Sequence, residues 1–313
     1  MLHRARTLTR TAPLAVGLAL LLGLTAAPAP ATAAAAVPPA AVPPAAVPMT
    51  PQLVAVRAAS HPGFDRVVFE FAGGLPATRT ATYVPELWAD GSGDRMRIAG
   101  AAILQLTTFQ ANGHDEETGQ STSPRRLVPA LPNVVEIVRS GDFEATLSYG
   151  IGLVQKGSVR LTTLTGPSRV VVDIGAPTDL AWHPVHLLDV ADFAAGHEPY
   201  TEPVLRRVPA MTPAGAVLHH LFAGPTAAER VRRLAVVRSG ATGFRDLGIR
   251  DGVARLRLTG GCSSGGSTFT VADLIVPTLK QFPTVDHVKI YDPEGRTGSP
   301  TGHTDSIPEC LEP

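Results

Sequence analysis

From Gln52 to Asp179 the chain alternates apolar and polar residues in short runs broken by Gly, Pro, Asn and Asp. Side chains on a strand point to opposite faces in turn, so this pattern suits strands with one buried face, and many such runs in succession point to a sandwich. The runs at 53–58, 66–71, 79–83, 95–104, 134–139, 143–149, 158–163 and 169–174 predict an all-β sandwich over 52–179. The stretch 111–132 is longer than most loops of a compact domain and carries His114-Asp115-Glu116-Glu117 and Arg125-Arg126. Such loops are functional or disordered. The acidic run lacks the alternating oxygen ligands and glycine of a calcium loop, so it reads as a solvated loop.

At Thr212 the pattern changes. Thr212 can cap a helix with Pro213 in its first turn, Leu218, Leu221 and Phe222 on one face, and Gly224-Pro225 as its stop. A short helical piece follows at 226–232. Residues 244–250 and 253–258 flank Asp251-Gly252, whose residues suit the positive dihedrals of a type I′ hairpin. Helical spacing runs from 268 to 282, with Pro277 expected to kink or split it, and 285–291 reads as a strand. The block 212–313 is therefore expected to be α+β. Residues 180–211 hold few periodic signals and read as an inter-domain connection crossed by few contacts.

Ahead of these blocks, His3, Arg4, Arg6 and Arg10 precede an apolar run from Ala12 to Leu24, followed by small residues up to Ala33. This is the layout of a secretory signal peptide over 1–33, and the run is too short for a membrane span, which needs about 20 apolar residues. No later stretch is long enough to span either. Residues 34–51 hold the Ala-Val-Pro-Pro-Ala repeat, a disordered, semi-rigid spacer in an extended polyproline conformation. The expected product is secreted and, without its signal, mildly acidic. With 27 basic and 27 acidic side chains in the whole chain and 17% charged residues, a nucleic-acid partner held through phosphates is excluded.

Within the first block, Gly63-Phe64-Asp65-Arg66-Val67-Val68-Phe69-Glu70-Phe71, Ser148-Tyr149-Gly150-Ile151-Gly152-Leu153 and Pro167-Ser168-Arg169-Val170-Val171-Val172-Asp173-Ile174 resemble the AMIN-like domain. That resemblance spans about Leu53 to Ile174. It implies a β-sandwich of the kind that holds periplasmic or wall-associated proteins at the cell envelope, here in secreted proteins of GC-rich Gram-positive bacteria. In the second block, Leu218-His219-His220-Leu221-Phe222-Ala223-Gly224-Pro225-Thr226, the pair around Asp251-Gly252-Val253-Ala254, and Leu279-Lys280-Gln281-Phe282-Pro283-Thr284-Val285-Asp286 look like a GerMN domain of sporulation and spore-germination proteins. This resemblance implies a non-catalytic, envelope-associated α+β module. The chain departs from the simplest pattern of that family in adding Cys262 and a cysteine-containing tail.

Cys262 and Cys310 are the only cysteines. An even pair in an exported chain favours a disulfide. Gly261-Cys262-Ser263-Ser264-Gly265 matches the Gly-x-Ser-x-Gly elbow of serine hydrolases, with Ser263 as nucleophile, Asp286 or Asp292 as orienting acid and His287 or His303 as base. Too little chain follows for a hydrolase sheet, so the motif also reads as a flexible connector. His183, His186, His219 and His220 stand at no metal-site spacing, and no phosphate-cradling motif is present, so neither metal nor cofactor is expected. Phe64, Tyr83, Trp88 and Tyr149 are rings that strands either present to a polysaccharide, with Asp65 and Arg66 supplying hydrogen bonds beside Phe64, or bury in the core. The sequence thus supports a secreted, non-enzymatic binding or scaffolding protein of the cell envelope. Its expected partner is wall polysaccharide or an envelope protein. The alternative is a small serine hydrolase centred on Ser263.

Overall fold

A computed structural model describes residues 50–313; the segment read as a signal peptide and nearly all of the Ala/Pro-rich stretch lie outside the described residues. The first block consists of β1 (Gln52–His61), β2 (Phe64–Ala72), β3 (Thr78–Val84), β4 (Leu87–Trp88), β5 (Arg95–Met96), β6 (Ala102–Phe109), β7 (Arg126–Leu127), β8 (Val134–Phe143), β9 (Thr146–Leu153), β10 (Val159–Leu164) and β11 (Ser168–Gly175). These pair as a four-stranded sheet, β1-β2-β11-β10, facing a five-stranded sheet, β3-β6-β9-β8-β7. Val67, Phe69 and Phe71 from one sheet and Leu104, Leu106, Tyr149 and Ile151 from the other share one buried cluster, so the block is an antiparallel sandwich as the alternation requires.

Two strand expectations shift. The run 95–104 is not one strand: β5 ends at Met96, and Gly100, with φ +135°, turns the chain into β6. The β8–β9 hairpin turns at Glu144-Ala145, both at positive φ, and not at the more turn-like Ser140-Gly141-Asp142. Gly141 stays in the strand paired with Ser148, and only a glycine fits there because Asp90 beside the β4–β5 hairpin lies where a Cβ would stand.

The second block begins earlier than the sequence suggests. The supposed connection forms β12 (Leu180–Asp189), α1 (Val190–Ala195) and β13 (Thr201–Pro209). Pro184 and Pro203 lie inside the paired strands β12 and β13, which is what masked them, since proline removes a ladder donor. There follow α2 (Pro213–Ala223), α3 (Ala227–Val231), β14 (Leu234–Ala235), β15 (Ala241–Arg250), β16 (Val253–Gly260), α4 (Ala272–Lys280) and β17 (His287–Tyr291). Pro277 sits inside α4 without ending it. β15 and β16 form the expected hairpin, and β17 adds in parallel to β16. The block is α+β.

Few-contact separation of the blocks does not hold. Ala99, Val128, Val135 and Val154 of the first block enter the same buried cluster as Leu218, Leu221 and Phe222 of α2 and Leu256 and Ile290 of the second sheet. Residues 50–313 accordingly pack as one body.

α2 carries an acid-sensitive element. His220 is buried, and neither ring nitrogen has a partner among the described residues. Burial, with Arg206 and His219 nearby, holds its pKa well below the usual histidine value, and burial takes His219 down to about 4. The unfolded chain binds a proton on each as pH falls through about 6.5 while the folded chain does not, so stability is lost on acidification. At up to about 1.4 kcal/mol per pH unit per site, His220→Leu is expected to remove about 1.5 kcal/mol of the stability loss between pH 6.5 and 5. Urea unfolding at both pH values measures it, and an equal acid loss in the variant contradicts it.

Candidate functional site

The residues singled out in sequence do not converge. Tyr149 is in phase with Leu147, Ile151 and Leu153, and it is buried; its hydroxyl meets Ser123 Oγ at 2.9 Å and donates to the Pro124 carbonyl at 3.0 Å. Its ring packs edge-on against Phe69, and burial raises its pKa to about 12. It is a core residue and presents no ring to a ligand. Tyr83 also faces the core, paired with Leu104. Its hydroxyl donates to the Gly157 carbonyl at 2.7 Å and accepts the Gly157 N–H at 2.9 Å, while the Lys156 ammonium lies 5.3 Å from the ring centre. Asp65 is fully buried: one carboxylate oxygen accepts the N–H groups of Asn133 and Val134 at 2.7 and 2.9 Å, so it ties β2 to the start of β8. Desolvation raises its pKa despite those bonds. It is a structural acceptor, closed to a surface ligand.

Phe64 and Arg66 do come together. Phe64 stacks on His61 with ring centres 4.8 Å apart, and the Arg66 guanidinium stands 5.3 Å from the Phe64 centre while pairing twice with Asp173 at 2.6 and 2.8 Å. The Pro62-Gly63 turn beside them borders a cleft of about 320 Å³ closed on the other side by Pro177, Thr178 and Arg207. Arg207 in turn lies 5.8 Å from the exposed ring of Trp182.

A second surface went unnoticed in sequence. Residues paired directly across an antiparallel sheet point to the same face. Thr78 pairs with Phe109, Phe109 with Thr146, and Thr146 with Phe143, so these four form one row on the outer face of the five-stranded sheet. Phe109 and Phe143 are 47% and 61% exposed. Two strand spacings separate them, about 10 Å. Behind this row, Thr80 pairs with Thr107 and Thr82 with Gln105; Thr78, Thr80 and Thr82 are exposed. The Thr78–Phe109–Thr146–Phe143 row holds no charged residue, whereas the next row ends at Gly141 under the Asp90 carboxylate and the third at Arg126. The rest of the face is covered by the β4–β5 hairpin, whose Leu87 lies on Gly150, and whose Trp88 is 49% exposed.

The signal for this surface was present in phase alone: Phe109 alternates with the core residues Leu104 and Leu106, and the Thr-x-Thr-x-Thr of β3 marks the same outward side. What could not be read was that Phe143, on another strand, would stand beside Phe109.

Among the described residues Ser263 makes no hydrogen bond to His287 or His303. Ser263 Oγ accepts the Gly265 N–H, His287 Nδ1 lies 3.7 Å from Asp305, and Asp292 is paired with Arg296 at 2.7 Å. Cys262 and Cys310 form a disulfide with Cα atoms 5.7 Å apart. His183 meets Gln281 and His186 meets Thr201. Among the described residues no group of three His, Cys, Asp or Glu side chains is placed to hold a metal, and no helix is long and apolar enough to cross a membrane.

Comparison with protein families matches residues 51–176 to the AMIN-like domain and residues 190–297 to the family described as sporulation and spore germination. No curated protein and no solved structure shows significant similarity to the chain. The sandwich ends where the first match ends, and the second match covers α1 through β17. The chain thus carries an AMIN-like domain followed by a sporulation and spore germination domain, a pairing that fits a protein of the cell envelope.

Proposed function

We propose that this is a secreted, non-enzymatic protein that binds a neutral glycan strand of the cell wall on the outer face of its AMIN-like sandwich. The observation that carries the reading is the uncharged row of Thr78, Phe109, Thr146 and Phe143. Exposed aromatic faces stack on the apolar faces of sugar rings, and neighbouring hydroxyls and amides hydrogen-bond the sugar hydroxyls without the desolvation cost of a charge. A separation of about 10 Å between the rings is close to the disaccharide repeat of an extended β-1,4-linked glycan, so each ring meets an equivalent sugar. The AMIN-like match supports an envelope partner; the second domain serves in this reading as the attached scaffold.

Purified protein titrated onto isolated cell wall, or onto soluble β-1,4-linked N-acetylglucosamine oligomers, tests it. Stacking contributes about 1 kcal/mol per ring, so Phe109→Ala or Phe143→Ala is expected to weaken binding roughly fivefold. The double variant should lose about thirtyfold if the two effects add. Binding should also survive about 0.5 M salt, where the screening length is roughly 4 Å. Unchanged binding by the double variant, or complete release by moderate salt, contradicts the assignment. Labelling of Ser263 by a fluorophosphonate probe would contradict the non-enzymatic part.

A further inference from the structure

A cavity of about 570 Å³ lies at the junction of the two domains. Its walls are apolar: Phe244, Leu247 and Ile249 from β15, Phe282 from the loop after α4, and Val154 at the end of β9. A bulge in β15 between Arg245 and Gly248 keeps Phe244 and Leu247 on this one side and leaves Arg245 and Asp246 exposed. The start of α2 forms the remaining wall, from Thr212 to Ala216.

Four polar side chains reach the same space: Gln155, Thr212, His219 and Thr284. None of them is hydrogen-bonded within the described residues; Thr212, at the helix start, makes no capping bond. The His219 ring lies against Phe244 with centres 4.8 Å apart. Its imidazole is neutral at ordinary pH and so offers one donor and one acceptor. No Asp, Glu, Lys or Arg lines the cavity.

Apolar walls with a few convergent and uncommitted polar groups are the composition of small-molecule sites, and 570 Å³ falls in their usual range of about 300–1,000 Å³. A charged ligand would find no countercharge on the lining to meet it. We propose that this interdomain cavity binds an uncharged amphiphile, an aliphatic or aromatic body carrying a hydroxyl or amide that bonds to His219 and its polar neighbours.

Gly215 provides a clean block. It lies in α2 with ordinary helical dihedrals, and a Cβ built there meets only Leu247 Cδ2, at 3.9 Å. A leucine at this position projects across the cavity onto Leu247, while replacing glycine in a helix favours folding.

The test is a fluorescence titration with N-phenyl-1-naphthylamine, an uncharged apolar probe with one N–H donor. Saturable one-to-one binding is expected, at least tenfold weaker in Gly215→Leu, with a melting temperature equal to or above that of the parent. Leu247→Phe, which fills the cavity from the strand side, should act alike. 1-Decanol is expected to displace the probe at concentrations at least tenfold below those of decanoate or decylammonium. Non-saturating fluorescence, unchanged titration in both variants, or equal displacement by the charged analogues would each overturn the proposal.

Discussion

Glu136→Ala is expected to destabilise the protein by about 3–5 kcal/mol, the range found when one partner of a buried ion pair is removed. Glu136 is fully buried on β8. It is paired with Arg97 at 3.2 Å and with Arg126, and it accepts the Ala99 N–H at 2.7 Å. Arg97 also donates to the Phe222 carbonyl at 3.2 Å, and Arg238 donates to the same oxygen at 3.1 Å. That carbonyl belongs to the last turn of α2, where the aligned peptide dipoles leave partial negative charge. One carboxylate and one helix end thus hold three guanidinium groups at the junction of the domains. Burial, then the nearby Arg97, pull the pKa of Arg238 down to about 10.

Without Glu136, Arg97 and Arg238 keep only the helix end, Arg126 keeps only the Arg97 carbonyl, and the Ala99 N–H loses its acceptor. Glu136→Gln keeps an acceptor for that N–H and should lose less. Because Arg97 reaches Phe222 in the other domain, the whole body should melt earlier in a single transition, by roughly 10 °C for a few kcal/mol at this size. Chemical denaturation followed by tryptophan fluorescence and by circular dichroism measures it. A loss below about 1 kcal/mol, or two separated transitions, would show that the junction is not held through this carboxylate.

Removing the disulfide has the next largest expected effect. Cys262 and Cys310 are 48 residues apart, and releasing a loop of that length is worth up to about 4 kcal/mol on the chain-entropy account. The bridge acts with other ties on the tail. Lys289 is fully buried and donates to the carbonyls of Ser299 and Thr301. Asp305 accepts Lys280 and the Val288 N–H, and Leu311 is buried in the second block's cluster. Cys262→Ser with Cys310→Ser is expected to lower stability by about 2–4 kcal/mol and to open residues 297–313 to protease, with the sandwich protected. Guanidinium unfolding and limited proteolysis with mass readout measure both. Stability within 0.5 kcal/mol of the parent, or cleavage first in the sandwich, would contradict this.

Much of the architecture was legible because strand and turn chemistry are local. The alternation in 66–71 and 169–174 became β2 and β11, directly paired. Asp251-Gly252 became a hairpin turn with both residues at positive φ. The lone cysteine pair became a bridge. The prolines of β12 and β13 hid a hairpin, because proline argues against a strand locally while the pairing across the hairpin is decided by distant residues.

The candidate surface was only half legible. A period of two says that Tyr149 travels with Leu147 and Ile151, and that Phe109 travels with Thr107 and Gln105. It does not say which of the two sides another layer will cover. Tertiary structure settled that by laying β2 and its neighbours against the Tyr149 side and the β4–β5 hairpin over only part of the other. The end of that outer face stayed open, with Phe109 and Phe143 on either side of Thr146. The same holds for the interdomain cavity, whose walls come from β9, α2, β15 and the loop after α4. Each wall is apolar by its own sequence, but the space between them exists only because the elements pack at a distance none of them encodes alone.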